Sequence, residues 1–319
     1  MNALSELLIE YNADVPTWFR IGGKADVLAR PRTAEQVRDI LLMFACHPVR
    51  VLGDGANLLV DDDGIDGVVI DMRSVNAVTF DERPELDRVH VRAAAGANLP
   101  KLITECVRRG FAGLETLAGI PATLGGAVVM NAGGAFGQIG DLVESVDALS
   151  RSGEHLTIPR HELHFSYRHS GLNHLFITGA TLALRRVSDD ERPALREKLK
   201  QVMEYKKNSQ PLAENSAGCW WKNPRDPADP SKRISAGRII DQCGLKGLTV
   251  GGATVSPVHA NFVVTAAGCR ARDVVELMER VRAAVASRTG IQLQPEVVYW
   301  RRSAAPAASP APAPAPGLA

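Results

Sequence analysis

The chain has 319 residues, 37 lysines and arginines against 36 aspartates and glutamates, and 45% hydrophobic residues, for a net charge of +1. That balance excludes a broad basic field for nucleic acid or an anionic membrane, and the apolar content excludes bulk disorder. A chain this long buries a core without disulfides or structural metal, and its five cysteines form no CxxC pair, so a zinc site is not expected.

The N-terminal segment MNALSELLIEYNADVP has acidic residues and no basic n-region, and nowhere do about 18 apolar residues run together. A soluble, cytoplasmic protein in a reducing compartment is expected. Thr33 and Gln36 have capping-box spacing, and Val37, Ile40, Leu41 and Phe44 then recur at helical period. Strand-like runs at Val49–Leu52 and Val68–Ile70 complete a β-α-β unit. Alternating Val89, Val91 and Ala93 predict a strand, and Leu99–Arg109 a helix capped by Asn98 and stopped by Gly110.

Strands follow around 146–149, 156–158 and 175–184, the first two joined by the turn Arg151-Ser152-Gly153. Ser188 and Glu191 predict the start of a charged helix to about Tyr205, with Leu195, Leu199, Val202 and Met203 on one face. A helix at Ile239–Cys243, a strand at Phe262–Val264, a helix over Ala271–Arg288 ended by Gly290 and a last strand at Glu296–Trp300 finish the ordered part. The class is α+β. Beyond Arg302, SAAPAASPAPAPAPGLA has almost nothing to bury and reads as a disordered tail.

Two glycine loops are candidate phosphate cradles. The first is Gly53, Asp54, Gly55, Ala56, Asn57 and Leu58, where glycines let backbone N–H groups turn toward an anion; a plain strand-to-loop turn is an equal reading. It lacks the third glycine of a dinucleotide fingerprint. The second carries Gly119, Ile120, Pro121, Thr123, Gly125, Gly126, Asn131 and Ala132, with seven glycines in the 22 residues from Gly119 to Gly140 and no acid before Asp141. Such a run suits a backbone wrapped around a large anionic ligand, or else tight packing. Cys219 sits beside Trp220 and Trp221; on its own a free cysteine is more often a buried apolar residue. Arg168 can clamp a carboxylate, and Glu296 places an ionisable group in an apolar strand. Each taken alone also fits a surface charge. His161 and His164 lack a third ligand, so no metal is expected.

In order, Thr17–Gly23, Leu52–Leu59, Gly119–Gly133, Tyr167–Ser170, Ala217–Pro224, Gly251–Ala253 through His259–Phe262, and Pro295–Val297 resemble the UDP-N-acetylenolpyruvoylglucosamine reductase family, from Asn12 to about Trp300. The short spacing from Arg168 to Cys219 resembles its shorter branch, which lacks an inserted substrate-covering segment. The resemblance implies the two-part FAD-binding fold of the vanillyl-alcohol-oxidase type over 1–75 and 76–198, a substrate-binding C-terminal domain over 199–302, and a tail over 303–319. It implies noncovalent FAD, NADPH as co-substrate, and an enolpyruvyl sugar nucleotide reduced by hydride transfer. Small molecules are the expected partners, without nucleic acid or membrane, and a monomer is expected.

The resemblance further implies Arg168 as the fixed cation, Glu296 as a protonated acid supporting an enolate, and Cys219 as proton donor, where the family usually carries serine. A neutral resting thiol is expected, with Lys222 drawing it toward thiolate and Trp220 and Trp221 opposing that. Tyr167, Lys222, Asn223, His259 and Asn261 are the implied substrate contacts. Lys206 and Lys207 fit a diphosphate contact or a solvated helix end. Ala56 replaces a common serine, Ala122 a glycine, and Gly133-Gly134 adds a residue. Two rivals follow from the residues: a cysteine hydrolase built on Cys219 and His259, and a non-catalytic nucleotide-binding protein. In the first, His259 comes 40 residues after the cysteine, against about 130–150 in papain-type enzymes.

Overall fold

The computed structural model describes residues 7–83 and 88–303. The N-terminal unit is a four-stranded sheet ordered β1-β2-β5-β3, from β1 (Leu8–Asp14), β2 (Lys24–Arg30), β3 (Val49–Leu52) and β5 (Ile65–Asp71), with α1 (Ala34–Met43) crossing between β2 and β3. Thr33 caps α1 by accepting the Gln36 N–H, but the reciprocal arm reaches one residue further back, from Gln36 Oε1 to the Arg32 N–H. The three-residue β4 (Leu58–Val60) leaves this sheet and pairs in parallel with the last strand.

The second unit contains β6 (Val78–Asp81), β7 (Arg88–Ala94), α2 (Leu99–Arg109), β8 (Phe111–Ala112), α3 (Leu124–Val129) and the hairpin β9 (Gly133–Gly134) and β10 (Gly137–Gln138). It continues through β11 (Val143–Leu149), β12 (His155–Pro159), β13 (Phe176–Arg186) and α4 (Arg192–Ser209). Its sheet runs β12-β11-β13-β7-β6 and is antiparallel throughout. Asn98 caps α2 and Gly110 ends it at φ 82°, a conformation in which a Cβ would be strained.

α4 runs four residues past its expected end and starts at Arg192, with Ser188 bound to Glu191 in the preceding turn. Its buried side is Leu195, Val202 and Lys206; Met203, expected there, is 43% exposed. The boundary expected at 198/199 falls inside this continuous helix.

The C-terminal unit holds α5 (Ala236–Gln242), β14 (Thr249–Val250), β15 (Ala253–Val255), β16 (Val263–Thr265), α6 (Ala271–Thr289) and β17 (Val298–Trp300). One core fills the first two units around Val68, Val91, Ile103 and Leu182, and a second lies between α6, the 14-15-16 sheet and Trp220 and Trp221. Ser303, the first residue of the expected tail, is held in place: its N–H and Oγ both bond the Asp66 carboxylate, at 2.9 and 2.8 Å; the rest of that expected tail, 304–319, lies outside the described residues.

Candidate active site

Three main-chain segments zip together to form one wall. The Trp220 N–H donates to Asn261 O at 2.7 Å, the Glu296 N–H donates to Trp220 O at 2.7 Å, and Lys222 N–H to Gln294 O at 2.9 Å. Cys219 also bridges Phe262. This ladder sets Cys219 and Glu296 side by side although 77 residues separate them in sequence. Arg168 arrives from the second unit on a tight turn closed by paired bonds between Ser166 and His169, with φ +54° at Arg168 itself. A left-handed arginine stores strain, and here it aims the guanidinium inward. Its Nε donates to Glu296 Oε1 at 2.5 Å and its Nη2 to Gly133 O at 2.9 Å, leaving Nη1 unused among the described residues.

Arg168, Cys219 and Glu296 line one cavity of about 660 Å³, within the usual range for small-molecule sites. Arg168 and Glu296 are 18% and 12% exposed at the side chain, so they are not a surface pair. Burial raises the Glu296 carboxyl above its ordinary range, outweighing the adjacent guanidinium. Cys219 keeps part of its surface on the cavity but is closely surrounded, and that burial, helped by Glu296, pushes its thiol up to about 12. It is a neutral thiol at pH 7. The cations that oppose the shift are Arg168 and Lys206; Lys222 instead acts on Glu296.

Both glycine loops line the same cavity, through Gly53 to Leu58 and through Gly119, Ile120, Pro121, Thr123, Gly125, Gly126 and Ala132. They differ in what they offer. The N–H groups of Gly53, Asp54, Gly55 and Ala56 make no hydrogen bond to the described residues, whereas those of Leu124, Gly125 and Gly126 bond Ala97 O, Ala95 O and Thr123 Oγ1. The first loop is therefore a donor cradle and the second a close-packed floor. A Cβ on Gly53 would meet Thr123 Oγ1 at 2.5 Å, and one on Gly125 would meet Ala95 Cβ at 2.8 Å. Asp54 is the one acid of the first loop; burial raises its pKa, which weakens its repulsion of an anion. An open donor cradle, a flat apolar floor and a cavity of this size fit FAD.

Asn131 does not face the ligand space. It is 1% exposed, accepts the Gly140 N–H, and donates to Ser166 O at 2.8 Å, bracing the turn that carries Arg168. The five expected substrate contacts lie outside the cavity lining. Tyr167 Oη accepts the Asn223 N–H, Asn223 Oδ1 accepts the Ala236 N–H, and both amide ends of Asn261 hold the Trp221 main chain. His259 Nδ1 accepts the Asn261 N–H, burial lowers its pKa, and it does not line the cavity that Cys219 lines, so the pair a cysteine hydrolase needs is not seen among the described residues. Sequence reasoning missed His174–Ile177, Gln210 and Trp300 as lining residues; Asn57, expected in the first loop, lines the cavity and its amide donates to Glu296 O at 3.2 Å. Lys206 lies on the wall, 9% exposed, while Lys207 is solvated. Its signal was present: 195, 199, 202 and 206 continue one helical stripe.

Residues 210–300 match the family described as "UDP-N-acetylenolpyruvoylglucosamine reductase, C-terminal domain", and residues 25–159 match an FAD binding domain. The chain is 43% identical over 287 residues to a UDP-N-acetylenolpyruvoylglucosamine reductase of Moorella thermoacetica, covering 89% of each chain. It is 37% identical over 291 residues to that of Desulfosudis oleivorans, covering 88% of this chain and 90% of the other. The crystal structure of a UDP-N-acetylenolpyruvylglucosamine reductase from Thermus caldophilus is similar with a TM-score of 0.74 and 35% identity, over 92% of this chain and 99% of that one.

Proposed function

Since the chain belongs to the UDP-N-acetylenolpyruvoylglucosamine reductase family, whose members are FAD-dependent oxidoreductases of peptidoglycan precursor synthesis, we propose that NADPH is its electron donor and Cys219 its proton donor. The substrate is UDP-N-acetylglucosamine enolpyruvate and the product UDP-N-acetylmuramate. The observation that carries the assignment of roles is the meeting of Arg168, Glu296 and Cys219 on one cavity wall from three separate parts of the chain.

Noncovalent FAD supplies the hydride-transfer chemistry when bound, held by the Gly53–Ala56 N–H groups over the Gly125 floor. Hydride arriving at the enolpyruvyl methylene carbon leaves negative charge on the alpha carbon and its carboxylate. Arg168 meets that charge through Nη1, and protonated Glu296 donates to it; a raised carboxyl pKa is what this task requires. Cys219 Sγ–H then forms the new C–H bond at the alpha carbon, and the electron pair of its S–H bond stays on sulfur. The thiolate left behind faces Arg168 and Lys206 until it is reprotonated.

The proposal includes a monomeric cytoplasmic enzyme with the divisions 1–75, 76–198 and 199–302; the four-stranded, six-stranded and three-stranded sheets fall one in each, while α4 runs across the last boundary and β4 pairs with β17 across the outer two. No helix among the described residues is long and apolar enough to cross a membrane. Anaerobic stopped-flow absorbance tests the function: NADPH should bleach the flavin and the enolpyruvyl sugar nucleotide should restore it. Reoxidation by the sugar nucleotide no faster than by dissolved oxygen overturns the reading.

A further inference from the structure

We infer that Lys206 sets the reduction potential of the bound flavin, by holding the negative charge that two-electron reduction brings into the cavity. The inference rests on the FAD reading above.

Lys206 is 9% exposed and lines the cavity, yet its ammonium makes no ion pair or hydrogen bond with any described residue. The other charged side chains on the wall are engaged. Arg50 donates to Asp66 O at 2.6 Å, Asp54 accepts from Trp18 Nε1, and Arg168 is paired with Glu296. A buried, unpaired ammonium is costly to keep, and burial together with nearby Arg168 draws its pKa down to about 8. Its stem is nonetheless accommodated: a Cβ at Gly119, where φ is +73°, would meet Lys206 Cδ at 2.9 Å. The glycine makes room for the lysine.

The anions of the reaction cycle can be allotted. The diphosphate of the cofactor goes to the N–H cradle of Gly53–Ala56. The substrate carboxylate goes to Arg168 and Glu296. Of the charges that stay in the cavity between ligands, that of the reduced isoalloxazine has no partner of its own; Lys206 has no fixed anion and faces only the transient Cys219 thiolate, which it shares with Arg168, while the diphosphates of NADPH and the sugar nucleotide arrive and leave with their ligands. A fixed cation beside a flavin ring favours its reduced form, because only that form carries the added charge.

The test is the midpoint potential of the FAD-loaded protein at pH 7, by equilibration with a redox dye, for the wild type, Lys206→Met and Lys206→Arg. Lys206→Met should lose at least tenfold in its preference for reduced over oxidised flavin, a fall of about 30 mV for a two-electron couple. Lys206→Arg should keep the wild-type potential, showing that charge and not shape is responsible. Equal potentials for the wild type and Lys206→Met overturn the inference. So does a Lys206→Met whose potential is unchanged while its KM for NADPH or for the sugar nucleotide rises, which assigns the lysine to a ligand phosphate. A wild-type protein that takes up no flavin overturns the inference together with the FAD reading.

Discussion

Cys219→Ala removes one proton from the cavity and little else, so the two half-reactions should separate. Flavin reduction by NADPH should proceed at the wild-type rate, while the phase driven by the enolpyruvyl sugar nucleotide should slow by about 10²–10⁴-fold, the usual worth of a positioned acid. Stopped-flow traces at 450 nm read both; equal loss in the two phases would make the cysteine structural. Lys206 gives a prediction of opposite sign in stability. Its pKa falls from 10.5 to about 8 on folding, so below pH 8 the folded flavin-free protein holds a proton at a cost. Stability therefore rises with pH between 8 and 10.5, where the unfolded chain binds more protons. Lys206→Met should stabilise the flavin-free protein by at most about 3 kcal/mol at pH 7 and by little at pH 10.5, measured by urea melts. The residues proposed to do the chemistry, which the structure brings to one cavity, stood out in the sequence because their motifs are short and chemically unusual: an acid in an apolar strand, a thiol beside two tryptophans. The backbone-holding bonds of Asn223 and Asn261 were not legible, because an amide that pins backbone and an amide that binds sugar look the same in a sequence.

Elements with strong local signals lie where the pattern put them. The α2 limits agree with the Asn98 cap and Gly110 stop, and α6 ends at Gly290 with φ 73°. β1, β2 and β4 were missed for distinct reasons. β1 is a largely exposed edge strand, β2 buries three residues in a row and so loses the alternation, and β4 is three residues long with a partner 240 positions away. Long-range pairing leaves no period to read. The glycine loops offer a paired test at this scale. Gly55 has φ +69° and an added Cβ would lie 2.3 Å from Pro16 O, whereas an added Cβ on Gly134 meets nothing within 4 Å. Gly55→Ala should distort the donor cradle and lower the 450/280 nm absorbance ratio of purified protein severalfold. Gly134→Ala should leave that ratio unchanged; a matching fall in both would show that the cradle is not the binding element.

Across the whole molecule, the C-terminal segment is buttoned to the N-terminal unit. Arg302 reaches the Asp26 carboxylate and Asp63 O, Ser303 holds Asp66, and the Asp61 N–H donates to Trp300 O at 2.8 Å. Truncation after Ser303 should leave flavin content and the melting temperature unchanged. Truncation after Val297 removes β17 and strips β4 of its partner, and should abolish flavin retention. Both are read by flavin fluorescence during a thermal ramp; retention in the shorter protein would show that the N-terminal unit holds the cofactor unaided.

The pairing of β4 with β17 also orders events in time. A ribosome delivers Leu58–Val60 some 240 residues before Val298–Trp300, and Glu296 travels with the latter. Because domains fold from the N-terminus as they emerge, the donor cradle exists on the nascent chain long before its acid and its closing strand. The wall proposed to be catalytic is thus complete only once Glu296 has emerged, and a chain that stalls short of it carries a half-built cavity.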